Sequence, residues 1–232
     1  MQAKDTKNRV YIEKGRKKVL AGSVDWPGWV GMGESEAEAL IALFEAADRY
    51  AAVMHAAQID FNIPVSRHDF DLLETVNGGF ATDFGGPHVS PHTDSTTVSE
   101  EDYMKLQSLL MACWQAFDAA VASSEGRDLL PPKAGVALDV YGIINHVIKN
   151  DQSDLERLGW AHRFRNYPNP LDELRDIRES TLRAMTRATF GEIPQIGLTG
   201  EIWTVRYFVR KLAWHTLDHA WEIEDRLEQQ PK

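Results

Sequence analysis

From Thr97 to the end of the 232-residue chain, apolar residues recur every three or four positions through four stretches of about 20 residues, joined by connectors of about ten. No other feature limits the fold as strongly. An amphipathic helix of this length has little stability alone and must bury its apolar stripe against neighbours, so four in succession predict an all-α four-helix bundle. The first stretch, VSEEDYMKLQSLLMACWQAFDAAVASS, opens on Ser99 and acidic residues and carries Tyr103, Leu106, Leu110, Cys113, Phe117 and Val121 on one face. A second is predicted from Val136 to Leu158, after the breaker Pro131-Pro132. A third runs from Pro170 to Phe190 and a fourth from Ile202 to Glu228.

The beginning of the chain has a different texture and predicts a small α+β module over residues 1–60. VYIEK (Val10 to Lys14) and KVLAGSV (Lys18 to Val24) are β-prone runs joined by a turn at Gly15, so they predict a hairpin. DWPGWVGMG then bends the chain with Pro27, Gly28, Gly31 and Gly33. A single helix is expected to follow, entered through the capping box of Ser35 and Glu38, with Leu40, Leu43, Phe44, Ala47, Tyr50 and Ala51 at helical spacing. Residues 61–97 read as an ordered connector in which HDFDLLETV could add one strand, and residues 98–232 as the bundle.

Composition removes several functions. With 25 Lys and Arg against 35 Asp and Glu, the formal net charge is −10, which disfavours a nucleic-acid partner. No apolar run approaches the roughly 18 residues a membrane span needs, and no apolar segment of signal-peptide type follows the basic start. A cytoplasmic protein without a membrane partner is therefore expected. The single cysteine, Cys113, can form no internal disulfide and lies on an apolar stripe, where it reads as a buried small hydrophobe.

Eight histidines remain to be explained. His215 and His219 lie four apart on the fourth helix, and Phe208, Leu212, His215, His219 and Ile223 follow one stripe, so both imidazoles are expected to face the interior. Two readings follow from the pattern. The pair is either a set of neutral core histidines bonded to backbone or to carboxylates such as Asp218, Glu222 or Asp139, or it is part of a metal site. His146, on the second helix beside Ile143 and Val147, offers a third imidazole from a neighbouring helix. Bundles build interior metal sites in this way, and three nitrogens with an open position suit an exchangeable or catalytic zinc or nickel ion. Asp139, seven residues before His146, could orient a ligand histidine, and Arg206 and Arg210 could hold an anionic group or form a solvated face. His88 and His92 are also four apart, but Pro87 and Pro91 forbid a regular helix there. His55, His68 and His162 belong to no constellation. Trp214 and Trp221, seven apart, share a face with the character of a seam, against the N-terminal module or a second copy in a homodimer.

GIINHVIKND, WTVRYFVRKLAWHTLDHAWEIED and the spacing between them resemble the DinB-like (YfiT-like) family, a bacterial group of four-helix bundles regarded as metalloenzymes. The resemblance covers the C-terminal part from about Ser95. It implies an up-down-down-up bundle and a divalent metal on one histidine of the second helix and an HxxxH pair of the last, which here are His146, His215 and His219. Related groups transfer or isomerise small electrophiles with a low-molecular-weight thiol. VYIEKGRKKVLAGSVDWPGWVGMGESEAEALIALFEAA is similar to the HicB-like α+β fold, through the Trp26-Pro27-Gly28 turn and the Gly33-Glu34-Ser35 helix start. No ribbon-helix-helix or helix-turn-helix unit follows, so repression is not carried over, and a packing or dimerisation module is expected.

Together these readings lead to a metal-dependent enzyme acting on a small-molecule substrate, a thiol-dependent S-transferase or isomerase. A metal-dependent hydrolase and a non-catalytic, antitoxin-like interaction protein are the alternatives. No general base can be named from the sequence.

Overall fold

The computed structural model describes residues 7–132, 137–162, 165, 167–191 and 202–228. They fall into two compact units, Met1–Thr96 and Thr97–Lys232.

In the first unit, β1 (Asn8–Lys14) and β2 (Val19–Ser23) form the expected antiparallel hairpin, with Val10 opposite Ser23 and Lys14 opposite Val19. The Gly15 amide closes the turn on the Lys18 carbonyl. β3 (Val30–Gly33) pairs antiparallel with β2, so VGMG is a strand where its glycines had suggested only bends. The reason lies in packing against α1 (Glu36–Glu45). A Cβ on Gly31 would stand 2.0 Å from the Leu43 amide nitrogen and 2.5 Å from the Ala39 carbonyl oxygen, so glycine lets helix and sheet backbones touch.

Ser35 caps α1 by accepting the Glu38 amide. The expected single helix is divided at Ala46 into α1 and α2 (Ala47–Ala56). The apolar period survives the division, with Leu43, Ala47, Tyr50, Ala51 and Met54 all buried, which is why periodicity alone did not reveal it.

Residues 61–97 are more than a connector. β4 (Phe70–Asn77) pairs in parallel with β1 and completes a mixed sheet of order β3-β2-β1-β4. A buried carboxylate, Glu13 on β1, holds the following turn. It accepts the hydroxyl of Thr82, in the short helix α3 (Phe80–Asp83), and the amides of His88 (2.9 Å) and Val89 (3.3 Å).

The second unit contains α4 (Glu100–Ser123), α5 (Val140–Arg157), α6 (Pro170–Thr189) and α7 (Val205–Glu228). Ser99 caps α4 with Asp102, Asp139 caps α5, and Asn169 with Pro170 starts α6. Of the predicted second helix, residue 136 lies outside the described residues, and the helix itself begins at Val140.

Contacts near the helix ends give their directions. Arg206 meets Asp102 at the starts of α7 and α4, and Arg127, just past the end of α4, donates to the Leu227 carbonyl in the last turn of α7, so these two run parallel. Trp203 donates to Arg157 and Arg226 to the Leu138 carbonyl, so α5 opposes α7. Tyr103 meets Thr186 and Arg178 meets Asp118, so α6 opposes α4. Leu110, Phe117, Ile143, Val147, Ile177, Phe208, Leu212 and Ile223 are buried among them. Among the described residues, no helix is long and apolar enough to cross a membrane.

The close approach at Gly31 yields a prediction. Gly31→Ala should lower stability by about 1–3 kcal/mol through overpacking against a backbone that cannot yield, read as a lower urea midpoint in tryptophan fluorescence. An unchanged midpoint would contradict the α1–β3 contact.

Candidate metal centre

His146 on α5 and His215 and His219 on α7 come together, with one candidate ligand atom from each lying within 4.8 Å of the others. The antiparallel packing of α5 on α7 produces this, because it brings residue 146 opposite the 215–219 turn. Nε2 of His146 and Nε2 of His215 are 3.2 Å apart. Nitrogens sharing a tetrahedral zinc ion at 2.0–2.1 Å would be separated by about 3.3–3.4 Å, close to this value. The same approach is also a normal N–H···N hydrogen-bond length, so the geometry accommodates either state.

The environments of the three rings differ. His215 is 8% exposed, and burial, followed by the charge of His219 and of His146, depresses its pKa well below the ordinary imidazole value. It is therefore neutral at pH 7, the protonation state of a metal ligand. Its Nδ1 is buried without a hydrogen-bond partner.

His146 is exposed, which corrects the expectation that it would point inward. The α5 stripe that enters the core is Ile143, Ile144, Val147 and Ile148, and His146 stands at its edge. Desolvation and the neighbouring His219 lower its pKa as well. The trio therefore opens to solvent on the α5 side. The side-chain amide nitrogen of Asn150 is 3.1 Å from His146 Nε2 and also donates to the His146 carbonyl at 3.1 Å.

His219 is half-buried and has a carboxylate neighbour, Glu222 Oε2, 2.8 Å from its Nδ1. The hydrogen bond to His219, with Arg226 alongside, holds the Glu222 carboxyl below its usual range. The other Glu222 oxygen accepts from Arg226 at 2.8 Å. Of the carboxylates expected to satisfy the histidines, Glu222 is thus the one placed to do so. Sequence reading missed Arg226 and Asn150. Arg226 lies seven residues beyond His219, a spacing that could have pointed to it.

Two of the proposed supporting residues, Asp139 and Arg206, do not gather at the trio. Asp139 lies seven residues, roughly 10 Å of helix, from His146. Its Oδ1 accepts the Gly142 amide at 2.7 Å, and it acts as the α5 N-cap. Arg206, nine residues and roughly 14 Å before His215, bonds to Asp102 at 2.6 Å and to the Thr97 carbonyl. Arg210 is 2% exposed and belongs to the packed interior. Cys113 is buried, and desolvation pushes its thiol far up, so it supplies no thiolate. His162 is a structural histidine, 3.1 Å from the Ser180 hydroxyl.

Five residues beyond His146, Asp151 is 1% exposed and neither carboxyl oxygen has a partner. Burial, reinforced by Asp154 and opposed by Arg178, pushes its pKa up to about 8. It is therefore mostly protonated at neutral pH, a buried acid that no motif announced.

Comparison of the chain with protein-family models, with curated proteins and with solved structures finds no match.

Two predictions follow from these placements. Asp139→Ala should cost about 0.5–2 kcal/mol, the usual value of an N-cap, in thermal or urea denaturation. Its affinity for zinc in a chelator competition should equal that of the wild type; a weakened affinity would instead give Asp139 a part in orienting His146. For Asp151, the pKa is raised in the folded state, so the unfolded chain loses its proton first. Its contribution to stability is full below about pH 4 and is lost between there and about pH 8, by up to about 1.4 kcal/mol per pH unit. Asp151→Asn should remove that slope from urea unfolding measured across pH 4 to 8.

Proposed function

We propose that the chain is a metal-dependent enzyme of the DinB-like kind, with His146, His215 and His219 holding one divalent cation, zinc or nickel, within an up-down-down-up four-helix bundle. The convergence of three imidazole nitrogens from two antiparallel helices carries this reading. The helix directions support the bundle: α4 and α7 run together, and α5 and α6 run against them. The donor set suits a borderline-soft cation, since three neutral nitrogens leave at least one position for a reactant.

When bound, the cation would supply Lewis acidity to a thiol or a water molecule. The chain's own residues prepare the place. Burial keeps His215 unprotonated, so its ring nitrogen carries a lone pair. The carboxylate of Glu222 can only accept, so it keeps the proton of His219 on Nδ1 and leaves Nε2 free. Exposed His146 leaves the α5 side open to a small-molecule substrate, and the Asn150 amide is a donor beside that opening.

With Cys113 sealed in the core, the thiol of the S-transferase or isomerase reaction we propose would come from solution, as a low-molecular-weight co-substrate. The β1, β2, β3, α1 order of the first unit supports a HicB-like module used for packing or dimerisation. The half-buried Trp214 and Trp221 of α7 support a homodimer seam. The setting we propose is cytoplasmic.

Elemental analysis of untagged protein, purified without added metal, should find one zinc or nickel ion per chain. His219→Ala should lose that ion while keeping its helical circular-dichroism signal, because packing rather than metal holds the helices. Absence of stoichiometric metal, together with no uptake on titration, would overturn the proposal. A variant that unfolds would make the site structural rather than catalytic.

A further inference from the structure

We infer that Arg226 and Glu222 are positioning residues for His219, a rigid relay that fixes the tautomer and direction of this ring at the three-histidine centre; the inference rests on the metal reading above. His219, Glu222 and Arg226 occupy positions i, i+3 and i+7 of α7, one stripe of the helix. Arg226 is 5% exposed, and its guanidinium is fully directed. Nε donates to the Leu130 carbonyl at 2.6 Å, Nη2 to the Leu138 carbonyl at 2.7 Å and Nη1 to Glu222 Oε1 at 2.8 Å.

The guanidinium is planar and holds its donors in a fixed fork. Two arms anchored on backbone therefore determine where the third points, and with it the Glu222 carboxylate. The remaining oxygen, Oε2, then meets His219 Nδ1 at 2.8 Å. Arginine only donates and the carboxylate only accepts, so the sequence of bonds has one sense, and the proton between Glu222 and His219 resides on Nδ1. Nε2 is left as the nitrogen that can bind a cation.

Among the described residues, neither of the other two imidazoles has a carboxylate partner of this kind. His146 Nε2 faces the Asn150 amide, and His215 Nδ1 is buried without a partner. The carboxylate support of the centre is therefore concentrated on His219. The Leu130 amide also donates to the Arg226 carbonyl at 3.3 Å, which ties the chain on the far side of the guanidinium to the same turn of α7.

The test is a chelator competition with zinc alone on the full chain. Glu222→Gln should weaken zinc binding 10- to 100-fold, the usual loss when the outer partner of a ligand histidine is removed. The cobalt-substituted protein should show shifted visible absorption bands. In the His219→Ala background the same substitution should change affinity less than twofold, since no ring remains to be positioned. Glu222→Asp, which keeps the charge but withdraws it by one methylene, should also weaken binding, and it serves if the glutamine variant does not fold. Tight binding by the wild type with unchanged affinity and cobalt spectrum in Glu222→Gln would overturn the relay alone. Equal losses with and without His219 would likewise overturn it. A wild-type protein that takes up no zinc would overturn the metal reading, and the relay with it.

Discussion

The arrangement of the second unit depends on the desolvation of imidazole on α7. Placing His215 at 8% exposure beside two other rings makes a second positive charge there prohibitive, because burial and mutual repulsion act in the same direction. His215 must therefore be neutral or bind a cation in place of a proton. Neutral imidazoles then need partners for the nitrogens that carry hydrogen, and the neighbouring residues reflect that need. Glu222 supplies an acceptor for His219, and that hydrogen bond, with Arg226 alongside, holds the Glu222 carboxyl below its usual range.

Other charged residues of these helices are engaged at helix ends. Arg206 is engaged with Asp102 where α4 and α7 begin, and Asp139 is engaged with the first turn of α5. Asp139 satisfies a helix-end amide, and Arg206 adds a partner to a carboxylate that also accepts the Ser99 amide. A second polar feature lies deeper, where Asp151 shares the interior with Arg178. The guanidinium of Arg178 bonds to Asp118 through Nη1 and lies over the Trp114 ring at 5.4 Å. The neutral form of Asp151 is the one compatible with that environment.

Much of this was legible because helices write their faces into the chain every three or four residues. The stripe of Phe208, Leu212, His215, His219 and Ile223 was readable for that reason. Its neighbours on α5 were less so, since His146 lies at the margin of the apolar face and one residue of rotation separates core from solvent. The first unit misled at VGMG for a local reason. VGMG looks like bends because its glycines are used for contact with α1 rather than for turning. HDFDLLETV, read as able to add a strand, does so as β4, which is mostly exposed and held by its hydrogen bonds to β1 more than by burial.

The sequence by itself determined the number and length of the long helices, the hairpin at the start and the inward stripe of α7, because each follows from a period along the chain. Only the tertiary structure decided that α5 opposes α7, that His146 closes the trio from the solvent side, and that Arg226 reaches two carbonyls almost a hundred residues earlier. Those relations join residues distant in the chain, and no local period encodes a direction of packing or the place where a guanidinium finds its acceptors.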